Sequence, residues 1–468
     1  MRRIAGLAVE RVIDHISSLS EQPLHRVTGG RKLAESLREP LPELGTPIER
    51  LLKTVFGKVV PASLNTASPG YLAYIPGGGL FHSAIADFIA LATNRYVGIW
   101  LASPGLVQLE QNVISWFCEI LSMPSTAGGL LLSGGSMANL VAIVTARKER
   151  LPADFLRGVV YTSAEAHHSV AKAAMIAGFP TERIVSVGVD DKFRIDLRAL
   201  ESAIDEDRQS GLQPFCIVGN AGTTNTGAVD DLAALADIAA RHSMWFHVDA
   251  AYGGFFALTS RGKRVMRGIE RADSVTLDPH KGLFLPYGTG CLVVRDRAAL
   301  RRAYSMHASY LPPMQEHDDL VDFCELGPEL SREARGLRVW LPLKMHGAGT
   351  FRDALDEKLD LAMSAFERVR ALPNVEIVSE PVLSLFTFRF RPSPHEGDEE
   401  RLEAHNRAIL ARVNDRQRVL LTGARVGGRF FIRVCVLSFR THADRIDALV
   451  EDLCAALDEP VKPSAQLG

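Results

Sequence analysis

Apolar and polar positions follow three regimes along this chain. Over residues 1–80 they recur at helical spacing, broken by Pro- and Gly-marked connections at Pro23, Gly29-Gly30, Pro40-Leu-Pro42 and Gly45-Thr-Pro47. This predicts helices with too few apolar positions for a core of their own. Over residues 81–345, amphipathic stretches are separated by short apolar runs at Gly129–Leu132, Gly158–Tyr161, Phe215–Val218, Met244–Val248, Ser274–Leu277 and Gly290–Val294. Short strands alternating with helices predict an α/β fold around a mostly parallel sheet covered on both faces. Over residues 346–468 a long helical stretch leads to Glu376-Ile-Val378, Leu383–Phe390 and Arg429–Val436, which predict a smaller α+β domain. Between its strands, the Pro-, Gly- and acid-rich stretch from Arg391 to Arg401 reads as a solvated loop.

Composition narrows the classes. The 468 residues carry 53 Lys plus Arg against 55 Asp plus Glu, a formal charge of −2, so the basic excess that nucleic-acid binding needs is missing. No apolar run approaches the roughly 20 residues of a membrane span. Near the N-terminus Glu10 and Arg11 interrupt the apolar stretch, which makes a poor secretory signal and leads us to expect a cytoplasmic protein. Six scattered cysteines form no C-x-x-C pair and read as buried reduced thiols; no metal site is expected.

Loops after parallel strands form the usual ligand crevice, and four of them carry candidate chemistry. Ser133-Gly-Gly-Ser136 follows a strand and opens a helix, where glycines and N-terminal amides suit a phosphate. It lacks both the lysine of the nucleotide P-loop and the dinucleotide glycine spacing. His167 and His168 adjoin a helix start, where a neutral imidazole can stack on a planar ligand. Asp249 ends an apolar strand, and a carboxylate buried there needs a cationic partner. Lys281 follows another strand behind the bend at Pro279, a position that suits an imine-forming nucleophile. Each reading has a plain alternative: a strand-to-helix turn, a surface histidine, a turn-capping Asp, a surface lysine. Taken together, the four suit pyridoxal 5′-phosphate: a phosphate cradle, a stacking ring, a carboxylate for the pyridinium nitrogen and an amine.

The ordered motifs Ala102-Ser-Pro104, Gln108-Leu-Glu110, Ser133-Gly-Gly-Ser-Met-Ala-Asn139, Ala166-His-His-Ser169, Ala221-Gly-Thr-Thr224, His247-Val-Asp-Ala-Ala-Tyr252, Ala272-Asp-Ser274, Asp278-Pro-His-Lys281 and Leu337-Arg-Val-Trp340 carry a resemblance. The chain resembles the group II pyridoxal-phosphate-dependent amino-acid decarboxylases, among them the aromatic-L-amino-acid enzymes, most clearly over residues 65–345. The resemblance implies a fold-type I homodimer of the aspartate-aminotransferase superfamily. Its N-terminal segment would pack on the partner, ahead of a large cofactor domain and a small C-terminal domain. It also implies that Lys281 holds the cofactor, Asp249 partners the pyridine nitrogen and His167 stacks on the ring. Gly135 and Ser136 would bind phosphate, with Thr224, Ala251 and His280 as further cofactor contacts.

Three departures stand out. Asp278 occupies a phosphate-touching position that is often Asn in the animal aromatic enzymes, where an anion would repel phosphate. Gly282 replaces a common Trp. A gapless count back from Trp340 sets Phe323 at the position of the mobile-loop tyrosine thought to donate the product's proton, and Phe has no proton to give. Relatives with that change can instead release an aldehyde, ammonia and peroxide; Tyr310, His317 or Ser331 are alternative donors. By resemblance the substrate pocket spans Tyr74–Gly77 and Val97–Trp100. This aromatic and apolar lining favours an aromatic or apolar amino acid over glutamate and leaves an aliphatic one such as valine open.

Overall fold

The structure is a computed structural model that describes residues 1–306, 319–393 and 397–459. Two compact units divide the chain. One comprises Met1–Pro76, Ser364–Glu376 and Phe388–Gly468; the other comprises Gly77–Met363 and Ile377–Thr387. The second break thus falls near residue 363 rather than at 345. The change of pattern at 345 marks a kink at Gly347 (φ +75°) inside the helix Arg335–Arg370, which continues beyond it.

The larger unit is built on seven strands: β1 Gly128–Leu132, β2 Gly158–Ser163, β3 Ile184–Val187, β4 Gln213–Asn220, β5 Trp245–Asp249, β6 Ser274–Leu277 and β7 Gly290–Val294. Their spatial order is β1-β7-β6-β5-β4-β2-β3, and only β7 runs antiparallel to its neighbours. All residues of β2, β5, β6 and β7 are buried, the mark of a sheet with both faces covered. The unpredicted strand is β3, an edge strand in which only Val187 is buried, so its hydrophobic signal is weak. The helix Gly135–Arg150 packs Ala138, Val141 and Ala142 against Leu130, Leu132, Leu292 and Val294. The same helix sets Ile143 and Ala146 against Val160, Cys216 and Val218. The first cluster therefore holds the start of this helix against β1 and β7, and the second holds its later turns against β2 and β4.

A second sheet has the order β10-β11-β9-β8, from β8 Val375–Ser379, β9 Leu385–Phe390, β10 Thr422–Val426 and β11 Arg429–Cys435. β10 lacks an apolar run, but Gly427-Gly428, both at positive φ, make the tight turn that pairs Val426 with Arg429. In the smaller unit the helices Arg2–Ser17, Gly30–Ser36 and Ile48–Thr54 bury no residue, as expected of a segment without its own core. The connecting chain is nevertheless anchored within its own unit. Leu24 clusters with Tyr71, Ala73 and Leu420, and the Leu72 N–H donates to the Leu420 carbonyl at 3.0 Å. Among the described residues, no helix is long and apolar enough to cross a membrane.

Candidate active site

Strand β1 delivers Ser133 and Gly134 to its carboxyl end, and the helix opens at Gly135. A Cβ on Gly290 of β7 would lie 2.4 Å from Gly134 Cα, so the two strands meet this closely only because position 290 is glycine. Beside this turn lies a cavity of about 300 Å³. Its walls contain all nine positions expected to contact the cofactor: Gly135, Ser136, His167, Thr224, Asp249, Ala251, Asp278, His280 and Lys281. Distant stretches of sequence reach one cavity because each follows a strand of the same sheet.

Asp249 ends β5 and is 7% exposed. Its carboxylate accepts from Asn139 Nδ2 at 2.9 Å and from the Ala251 N–H at 3.1 Å, both neutral donors. Asn139 stands at the centre of a buried network that the sequence reading did not assign a role. Its Oδ1 accepts from Thr276 Oγ1 at 2.7 Å and from His247 Nε2 at 3.1 Å, and its amide also donates to Ser169 Oγ at 3.0 Å. These partners fix the orientation of the amide. Burial pushes the His247 imidazole down to about 4, against the opposing pull of Asp249, so the ring is neutral. With Nε2–H donating to Asn139, Nδ1 accepts from the Ser274 hydroxyl at 2.8 Å, and that hydroxyl oxygen accepts from Trp245 Nε1. The available signal was Asn139 facing inward on an amphipathic helix, four residues after the glycine turn.

Ser169 passes the network on: its hydroxyl meets His167 Nδ1 at 2.7 Å, and its N–H donates to the same nitrogen. Nδ1 is thus the acceptor, and the ring is pinned at the N-terminus of the helix His168–Ile176. Burial lowers the His167 pKa despite Asp249, and His168 and Lys281 add to the lowering. On the turn after β6, Lys281 Nζ lies 3.0 Å from Asp278 Oδ2. His280 Nδ1 donates to the Thr289 carbonyl at 2.6 Å.

The expected substrate and loop residues are not among the described residues that line this cavity. Tyr74 belongs to the smaller unit, where its carbonyl accepts from Arg433 at 3.1 Å. Gly77 sits behind the lysine turn, where a Cβ would touch the His280 carbonyl and the Tyr287 ring at 3.0 Å. The Trp100 ring packs on the core cluster, and the Trp100 backbone N–H donates to Asp322 Oδ1 at 2.7 Å. Phe323 is a core residue, 1% exposed, with the Arg332 guanidinium 4.6 Å over its ring. The gapless count therefore landed on a packing position whose apolar character has a structural cause. Tyr310 and His317 lie outside the described residues, and Ser331 is exposed.

A buried carboxylate satisfied only by neutral donors retains the capacity to hold a cation such as a protonated pyridine nitrogen. Asp249 shares its cavity with an amine on one strand-end turn and a glycine-lined helix N-terminus on another, at the carboxyl edge of a mostly parallel sheet. This is the arrangement of the fold-type I pyridoxal-phosphate enzymes, and the side chains fit that cofactor.

Comparison with known proteins narrows the class. The pyridoxal-dependent decarboxylase conserved domain matches residues 31–391. An aromatic-L-amino-acid decarboxylase of Bacillus atrophaeus is 34% identical over 460 residues, 98% of this chain and 96% of that protein. The crystal structure of Oryza sativa TDC with PLP and tryptamine superposes with a TM-score of 0.92 at 28% identity, covering 97% of both chains. That of Rhodiola rosea 4-hydroxyphenylacetaldehyde synthase gives 0.89 at 25% identity, covering 97% of this chain and 96% of the other. The chain belongs to the pyridoxal-dependent decarboxylase family, and its cofactor is pyridoxal 5′-phosphate.

Proposed function

We propose that this protein removes the α-carboxylate of an aromatic L-amino acid as CO₂ and releases the amine. The carrying observation is the charge inventory of the cavity. Among the described lining residues the basic groups are Lys281, His167 and His280, with no arginine to pair a substrate's side-chain carboxylate. The Bacillus relative's name and the tryptamine in the rice structure support an aromatic side chain. When bound, the cofactor supplies an electron-accepting pyridinium ring to the bond being broken. Lys281 is the amine that would hold the cofactor covalently. Asp249 would keep the pyridine nitrogen protonated, and the Asn139 amide holds that carboxylate in place. His167, oriented by Ser169, would stack on the cofactor ring, Gly135 and Ser136 would hold its phosphate, and Thr224 would be a further contact.

Amine is favoured over aldehyde because Phe323, the residue that pointed to an oxidative outcome, is accounted for by core packing. A homodimer is supported by the helix Arg2–Ser17, which buries nothing and leaves Ile4, Val9 and Ile13 about half exposed. Six free cysteines, five of them buried, support residence in a reducing compartment such as the cytoplasm. The test is a panel of amino acids offered to the cofactor-loaded protein, with CO₂, amine and peroxide read together. Aromatic substrates are expected to react fastest, with amine matching CO₂. A preference for glutamate overturns the substrate class, and peroxide equal to CO₂ assigns an aldehyde synthase instead.

A further inference from the structure

Among the described residues that line this cavity, Asp278 is the one carboxylate besides Asp249, and it has no part in the proposed function. Its side chain is 3% exposed, and Oδ1 is buried with no hydrogen-bond partner. A Cβ on Gly135 would meet Oδ2 at 3.0 Å and Oδ1 at 3.4 Å. The carboxylate therefore rests against the first residue of the 16-residue helix Gly135–Arg150, whose N-terminal amides attract anions.

The groups around it offer one cation in contact. From its own turn, Lys281 Nζ lies 3.0 Å away and His280 Nε2 3.6 Å away. The His280 proton sits on Nδ1, held by the Thr289 carbonyl, and burial lowers that ring's pKa. Arg338 donates to the Gly288 carbonyl and to Thr289 Oγ1, and its charge adds to the lowering of the His280 pKa. From β7, the Cys291 thiol is pushed well up by burial and stays neutral. His167, its pKa lowered by burial, and Asp249 are the other histidine and carboxylate among the described lining residues. A phosphate dianion arriving at this helix end meets a carboxylate already there. Two anions in contact in a buried site do not both keep full charge.

We propose that Asp278 is a resident anion of the phosphate cradle, so that a phosphorylated ligand enters this cavity together with one proton, shared between the Asp278 carboxyl and the phosphate. The inference rests on the reading of the Ser133–Ser136 turn as the phosphate seat. The proton comes from solvent, and no other bond changes.

Pyridoxine 5′-phosphate tests this cleanly, because its hydroxymethyl group cannot condense with Lys281. Calorimetric titration of the cofactor-free full chain at about pH 8, in two buffers of different ionisation enthalpy, counts protons taken up on binding. About one per site is expected, with affinity falling about tenfold per pH unit above neutrality. In Asp278→Asn the count falls to near zero and the pH slope flattens. A wild-type count near zero overturns the proposal without any variant, and so do equal counts in the wild type and a folded Asp278→Asn. Pyridoxine without its phosphate separates the two layers: if it binds as tightly as the phosphate ester, the phosphate seat itself is wrong.

Discussion

Asn139→Ala is the sharpest probe of how this site is held. Asn139 is 1% exposed and makes hydrogen bonds to Asp249, Ser169, Thr276 and His247. Truncation does not strand all four partners equally. Asp249 keeps the Ala251 N–H, Ser169 keeps His167, and the Thr276 hydroxyl can rotate. The fully buried His247 Nε2–H is left with only the longer, 3.5 Å contact to Thr276 Oγ1. One stranded buried donor costs about 1–3 kcal/mol, and weakening the other three contacts brings the expected loss to about 3 kcal/mol, less if water enters the space. Urea unfolding of the cofactor-free protein measures it through the midpoint at unchanged slope. Cofactor titration supplies the second readout: Asp249 loses the donor that fixes its carboxylate, and affinity is expected to fall about tenfold or more. A variant within about 0.5 kcal/mol of wild type that binds cofactor normally would show that the network is incidental.

Phe323→Tyr separates a core role from a catalytic one. A hydroxyl in that packed cluster should cost about 1–3 kcal/mol and leave the ratio of amine to peroxide unchanged; a shift of product towards amine would restore the proton-donor assignment. Gly290→Ala sets a methyl 2.4 Å from Gly134 Cα, so the strand-end turn must move, and cofactor affinity should drop about tenfold or more by fluorescence titration. Unchanged affinity would mean that the turn does not seat the cofactor. For pH, the folded His247 pKa is depressed to about 4, so between about 4 and 6.5 the unfolded chain binds a proton that the native chain does not. This contribution to stability is present above about 6.5 and is lost as pH falls through the window. Urea midpoints at about pH 5 and pH 7 should differ less in His247→Gln than in wild type.

Local pattern carried much of this molecule. Six of the seven strands of the large sheet were legible as buried apolar runs, and the polar residues after them were legible as site candidates, because burial of a strand and the chemistry of the turn after it are written within a few residues. The strands that escaped, β3 and β10, lie at sheet edges, where the hydrophobic requirement relaxes. A Gly-Gly pair did mark the β10 hairpin.

Properties set by closure of the fold were not legible. A gapless count could not tell the loop from the core, so Phe323 was assigned by position when packing beneath Arg332 explains it. Asn139 reads in sequence as one more inward residue of a helix. Only β5 and β6 brought alongside that helix make it the common partner of Asp249, His247 and Thr276. Asp278 was visible as an anion where phosphate was expected. Its pairing with Lys281 and its contact with Gly135 came from the tertiary structure, since which charges share a poorly solvated pocket depends on chain segments more than a hundred residues apart.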